Sequence, residues 1–171
     1  MARPRGILVP VDFSEYSEQA LNQAVEFAKE FKAKIYVLHV VEHKLIQCID
    51  DYCLNEDLIR QMGASKPAQY TDDYSITPNM VKQIEEGMFT AAQANLQRFV
   101  SKILEDSEIE IVVEVRKGIP HQEILQFQKE NDIDFIVMPS RGRGGLTEFH
   151  LGSTSEKVLR SMPCCITIAK S

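Results

Sequence analysis

No stretch of the 171-residue chain approaches 18 consecutive apolar residues, so no transmembrane helix is expected. Basic residues are in deficit. Nineteen Lys and Arg stand against 25 Asp and Glu, for a formal net charge of −6 and a sequence pI near 5.3. A nucleic-acid binder needs a basic face to neutralise phosphates, and only Arg141, Arg143 and Arg160 offer positive charge near one loop. Nucleic acid and membrane are therefore not expected as partners. A small phosphate ligand stays open, because a local site can be positive on an acidic protein. Zinc-binding spacing is also lacking: Cys48, Cys53, Cys164 and Cys165 match no common pattern, and no histidine pair completes one. There is no GxxxxGK[ST] loop, which excludes a P-loop ATPase, and no internal repeat or low-complexity tract. The basic opening from Met1 to Gly6 leads into an apolar run too short for a signal peptide and broken by Pro10 and Asp12. A cytoplasmic location is expected. Disulfides are rare there, so the four cysteines read as buried or partly buried thiols, with a redox role for adjacent Cys164 and Cys165 as the lesser alternative.

What is present is an ordinary globular balance, 44% apolar and 26% charged residues, in a chain long enough for one domain with a real core. Gly6 to Val11 is continuously apolar, as a parallel strand covered on both faces is, and Pro10 is expected to end it. Asp12 or Ser14 then caps a helix over 15–31, with Leu21, Ala24, Val25 and Ala28 at helical spacing. Residues 34–41 form a second strand, rich in β-branched side chains. The segment 43–78 is the least patterned and reads as an insertion, with a short helix near Leu54 to Met62. A helix over 79–105 carries the stripe Ile84, Met88, Ala92, Leu96, Phe99 and Ile103. Strands over 109–115, 134–138 and 164–169 alternate with helices over 121–131 and 153–161. Strand and helix in alternation predict an α/β fold with a five-stranded parallel sheet, doubly wound.

In such sheets ligands bind beyond the carboxyl ends of the strands. Two loops have that placement, Pro10-Val11-Asp12-Phe13-Ser14 and Pro139-Ser140-Arg141-Gly142-Arg143-Gly144-Gly145. The second runs to Gly152-Ser153-Thr154-Ser155, which opens a helix. Gly152 permits close backbone approach, and the helix N-terminus attracts an anion. The hydroxyls of Ser153 and Ser155 can donate to phosphate oxygens, and Arg141 and Arg143 can add charge. The residues by themselves point to a small phosphate-bearing molecule, or else to a plain glycine-rich turn with a serine cap.

These segments, in this order, resemble the universal stress protein family along nearly the whole chain. Ile7 to Ser14 is similar to its opening strand and aspartate, Leu38 to Val41 to its second strand, and Gly118-Ile119-Pro120 to the turn before its third helix. Ser140 to Leu146 and Leu151 to Leu159 are similar to its nucleotide signature. That signature is Gly, two residues, Gly, nine residues, Gly, then Ser or Thr. Gly142, Gly152 and Ser153 fit it, while Pro139 stands in place of the first glycine. The resemblance implies a Rossmann-like single domain that binds ATP or another adenine nucleotide, with Mg²⁺ as a possible companion, and turns it over slowly or not at all. Pro10, Val11, Asp12 and Val40 would line the adenine and ribose side. Met138 and Pro139 would flank the ribose. Gly142, Gly152, Ser153, Thr154 and Ser155 would hold phosphates. It also implies a homodimer through the last strand, 164–169. The alternative is a dimeric interaction protein of the same fold that binds no nucleotide. Among the remaining candidates, His39 reads as a core or sheet-edge residue. His43 is too far along the strand to join it, and His121 decorates a helix start. His150 lies in the glycine-rich loop, and Asp50-Asp51 and Glu85-Glu86 read as solvated charge.

Overall fold

The structure, a computed structural model, describes residues 3–42, 78–104, 109–142, 151–161 and 163–169. The expected insertion over 43–78 (save Pro78), its short helix, Cys48, Cys53, His43, Asp50, Asp51, Arg143 to Gly145 and His150 lie outside the described residues.

The chain runs β1 (Gly6–Val11), α1 (Glu15–Phe31), β2 (Lys34–Glu42), α2 (Pro78–Leu104), β3 (Ile111–Gly118), α3 (Pro120–Glu130), β4 (Phe135–Pro139), α4 (Ser153–Ser161) and β5 (Cys165–Ala169). All five strands are parallel, in the order β3-β2-β1-β4-β5. The first two crossovers build the sheet outward from β1 on one side. The third returns to the other side of β1, so connectivity reverses between β1 and β4.

Each strand presents alternate residues to two cores. Ile7, Val9, Val11, Ile35, Val37 and Val137 face the side covered by α1 and α2. Leu8, Leu38, Ile136 and Met138 face the side where α3 and α4 lie. These last four are 1% exposed or less, and each such side chain contributes about 1.5–3 kcal/mol. All of β1 is buried, which is why it reads as an unbroken apolar run. Helix α1 begins where its cap predicts: Ser14 accepts from the Ser17 N–H at 3.3 Å. It ends at Lys32, which takes a left-handed conformation and returns its N–H to the Ala28 carbonyl. In α2 burial follows Ala92, Leu96 and Val100, which leaves Ile84 40% exposed.

Two boundaries and one burial differ from what the sequence predicts. Pro10 does not end β1: β2 pairs on through Pro10 and Val11, while β4 pairs only at Ile7 and Leu8, so the missing N–H sits at the margin of the ladder. Strand β3 lies two to three residues later than expected and takes in Arg116 and Lys117. Their charges are covered by neighbours: Arg116 pairs with Glu123 and Glu130 and lies over Phe127, and Lys117 lies over Phe89 beside Glu85. Cys165, expected to be buried or partly buried, is exposed because β5 is an edge strand, while Cys164 is half-buried.

Candidate functional site

Past the end of β1 the chain turns sharply. Phe13 takes a left-handed conformation, φ 66°, uncommon for a bulky residue. The turn folds Asp12 back over the first turn of α1. Asp12 Oδ1 accepts from the Ser14 N–H at 3.1 Å and from the hydroxyls of Ser14 and Ser17 at 2.6 Å each. The Asp12 N–H donates to Ser17 Oγ at 3.0 Å. Of the two expected caps, Ser14 is the N-cap, and Asp12 is the acceptor that the capping residues hold in place.

At the end of β2, His39 Nδ1 lies 2.8 Å from the Val11 carbonyl, so that nitrogen carries the proton. Its ring packs on Phe13, with centroids 4.3 Å apart, and Phe13 meets Phe99 of α2 edge-on at 5.8 Å. At the end of β4, Met138 and Pro139 are buried. The loop beyond passes Gly142, whose missing side chain matters: a Cβ there would stand 2.8 Å from Asp12 Oδ2. Gly152 closes the loop by donating its N–H to the Ser140 carbonyl at 3.0 Å, and its own carbonyl accepts the first helical bond, from Glu156, at 2.8 Å. A Cβ on Gly152 would make only ordinary contact with the backbone of Arg141 and Gly142. The absent side chain therefore leaves open space rather than relieving a clash.

These features surround one cavity of about 1020 Å³. Pro10, Val11, Asp12, Val40, Met138, Pro139, Gly142, Gly152, Ser153, Thr154 and Ser155 all line it. Two side chains that the sequence aimed at phosphate have partners within the protein. The Ser155 hydroxyl donates to the Pro139 carbonyl at 2.8 Å and the residue is 3% exposed, because the third position of α4 turns inward. Arg141 lines the cavity but sends Nη1 to the Tyr16 hydroxyl at 3.2 Å, with its guanidinium 5.5 Å from that ring. Several lining residues escaped the sequence reading. His39 and Phe13 were in view but unassigned to the site. Met88, Ala91, Ala92 and Asn95 arrive on α2, and nothing local in the sequence announces that α2 crosses over the ends of β2 and β3.

The cavity thus has two chemistries. Part of the lining is apolar, from Val11, Val40, Met138 and Ile124. Another part is the N-terminus of α4, with its backbone N–H groups and the Ser153 hydroxyl following a glycine-containing loop. Asp12 joins the lining beside Gly142. Among the described residues no group of three metal-ligating side chains gathers. Cys164 takes no part: it is away from the cavity lining, and burial, then the neighbouring Cys165 and Asp134, push its thiol up to about 11, so it stays protonated at neutral pH.

A model of the universal stress protein family matches residues 4–170. A universal stress protein of Methanocaldococcus jannaschii, MJ0531, is 30% identical over 164 residues, covering 96% of this chain and 81% of its own. The solved structure of MJ0577, from the same organism, superposes with a TM-score of 0.74 at 22% identity, covering 99% of this chain and 98% of that one. The structure of a universal stress protein from Archaeoglobus fulgidus in complex with dAMP superposes with a TM-score of 0.54 at 18% identity, covering 99% and 100% of the two chains. The two superpositions show a shared fold, and the family match spans nearly every residue: the chain belongs to the universal stress protein family.

Proposed function

We propose that this protein binds an adenine nucleotide, ATP in the first instance, and acts in the cytoplasm as a regulatory protein of the stress response with little or no turnover. The observation that carries the reading is the cavity where connectivity reverses between β1 and β4, whose lining combines apolar side chains with a helix N-terminus. Its volume accommodates a whole nucleotide. Adenine would lie against Val11 and the backbone of Val40. The ribose would rest beside Met138 and the ring of Pro139, within reach of Asp12. Phosphates would take the N–H groups of Ser153, Thr154 and Ser155, with Gly142 and Gly152 leaving room for them. A Mg²⁺ arriving with ATP would draw most of its ligands from phosphate and water, with Asp12 the nearby carboxylate. The dAMP-bound Archaeoglobus relative supports the ligand class. Pro139 replaces the signature's first glycine, and what it offers here is a carbonyl and a ring face, neither of which needs an N–H.

The same reading makes the protein a homodimer through residues 164–169, which hold β5, since β5 is an edge strand and would otherwise leave its ladder open.

The test is calorimetric titration with ATP, with and without Mg²⁺, beside Ser153→Asp. Ser153 is exposed at the first position of α4, where an acidic residue suits the helix, so the fold is kept while negative charge enters the phosphate site. Micromolar binding by the native protein, weakened about tenfold or more for ATP in the variant but unchanged for adenosine, supports the site. Absence of heat or thermal shift with any adenine nucleotide overturns it and leaves the dimeric interaction protein.

A further inference from the structure

Among the described residues two polar residues are buried: Ser17, with no exposed surface, and Ser155, 3% exposed. They occupy the same place in two helices, the third residue of α1 and the third residue of α4. Each reaches back to the end of the strand before its helix. Ser17 Oγ donates to Asp12 Oδ1 at 2.6 Å and accepts from the Asp12 N–H at 3.0 Å, one residue beyond β1. Ser155 Oγ donates to the carbonyl of Pro139, the last residue of β4, at 2.8 Å. Strands β1 and β4 are the neighbours between which connectivity reverses. The two hydroxyls therefore tie down the two helix N-termini that flank the same crevice.

Neither helix needs a serine at this position for its own sake. Alanine is the better helix former, and a buried hydroxyl costs free energy unless bonded. What each serine supplies is placement. Asp12 Oδ1 takes three donors, two of them hydroxyls, so the carboxylate is locked with Oδ2 beside Gly142. An acceptor with a fixed direction can distinguish a ligand hydroxyl from a hydrogen. The Ser155 bond, with the Gly152 N–H to the Ser140 carbonyl, holds the start of α4 against the end of β4, so that its first N–H groups face the crevice.

We propose that Ser17 and Ser155 are a matched pair of positioning residues that divide nucleotide recognition between them. Ser17 aims the Asp12 carboxylate at the ribose hydroxyls, and Ser155 aims the α4 N-terminus at the phosphates. The proposal rests on the reading of this cavity as an adenine-nucleotide site.

The experiment measures affinities for ATP, adenosine and 2′,3′-dideoxyadenosine in the native protein, Ser17→Ala and Ser155→Ala. Two ratios are read. In Ser155→Ala the preference for ATP over adenosine falls about tenfold, while the preference for adenosine over its dideoxy form holds within twofold. In Ser17→Ala the pattern reverses. Tenfold is the scale of one or two hydrogen bonds. General loosening of the fold would lower all affinities together in both variants, so each variant controls for the other. If an alanine variant does not fold, Ser→Cys at the same position keeps the volume, weakens the bond and reads the same ratios. Serine-to-threonine replacement, which keeps the hydroxyl, should restore the ratio that alanine lost. Both ratios moving together, or neither moving in a protein that binds ATP, overturns the division of roles. A native protein that binds no adenine nucleotide overturns the site itself, and this inference with it.

Discussion

At the scale of single residues the structure separates side chains that line the cavity from side chains that hold those in place. Asp12 is a composition-level candidate, but its direction is set by Ser14 and Ser17, and Gly142 is a glycine because Asp12 Oδ2 occupies the space of a Cβ. Asp12, Gly142, Gly152 and Ser153 were legible because they lie in two short segments at strand ends. His39 and Tyr16 were not. His39 is reached by Phe13 only because the Phe13 turn is left-handed, and Tyr16 meets Arg141 across 125 positions of chain. Cys164 offers a prediction at this scale. Its thiol sits near 11 against an ordinary 9.0, chiefly through burial, so the folded protein disfavours its thiolate. At pH 8 about one hundredth of the unfolded thiolate fraction remains, and the greater nucleophilicity of a high-pKa thiolate recovers roughly a factor of ten. Alkylation of Cys164 with iodoacetamide, followed by peptide mass spectrometry, should therefore be about tenfold slower in the folded protein than in urea. Equal rates would show the thiol to be solvent-exposed. The sign for stability follows: the folded pKa is the higher one, so the contribution is intact below pH 9 and is lost as pH rises from 9 toward 11.

At the scale of elements, the ends of strands and helices carry the information that periodicity does not. The limits of α1 and α4 coincide with their sequence-predicted spans because Ser14 and Gly152-Ser153 are local signals. Strand β3 was misplaced because Arg116 and Lys117 look like loop residues until Glu123, Glu130, Phe127, Glu85 and Phe89 arrive from α3 and α2 to cover them. The turn from β3 to α3 depends on Gly118, at φ 150°, where a Cβ would also stand 2.6 Å from Glu123 Oε1. The side chain of Glu123 can move; the backbone cannot. Gly118→Ala should cost about 1–3 kcal/mol in urea denaturation, from the backbone conformation alone. An unchanged midpoint would mean that the turn relaxes to a conformation open to any residue. Pro120 then starts α3 without any side-chain cap, as a proline in the first turn allows.

At the scale of the whole molecule, the open question is how the sheet ends. Strand β5 lies at one edge and β3 at the other, and only β5 is both short and apolar, without the covering charges of β3. Light scattering on the eluting protein should give twice the 19.4 kDa chain mass, and Cys165, exposed in the single chain, should become protected from alkylation as the dimer forms. A mass of one chain at micromolar concentration would place β5 in solvent and remove the dimer from the reading. By itself the sequence determined the fold class, the alternation of strands and helices, and two segments at strand ends where a ligand could bind. Those are local properties: burial on both faces makes a strand uniformly apolar, and a helix start needs its cap and its glycine nearby. Only the tertiary structure decided the strand order, with its reversal between β1 and β4, that the two segments share one cavity, that α2 closes its side, and that Ser17 and Ser155 point back to the strand ends instead of outward. Each of those depends on contacts between distant parts of the chain. Their geometry is set by how helices pack over a twisted sheet, and no short window of residues contains it.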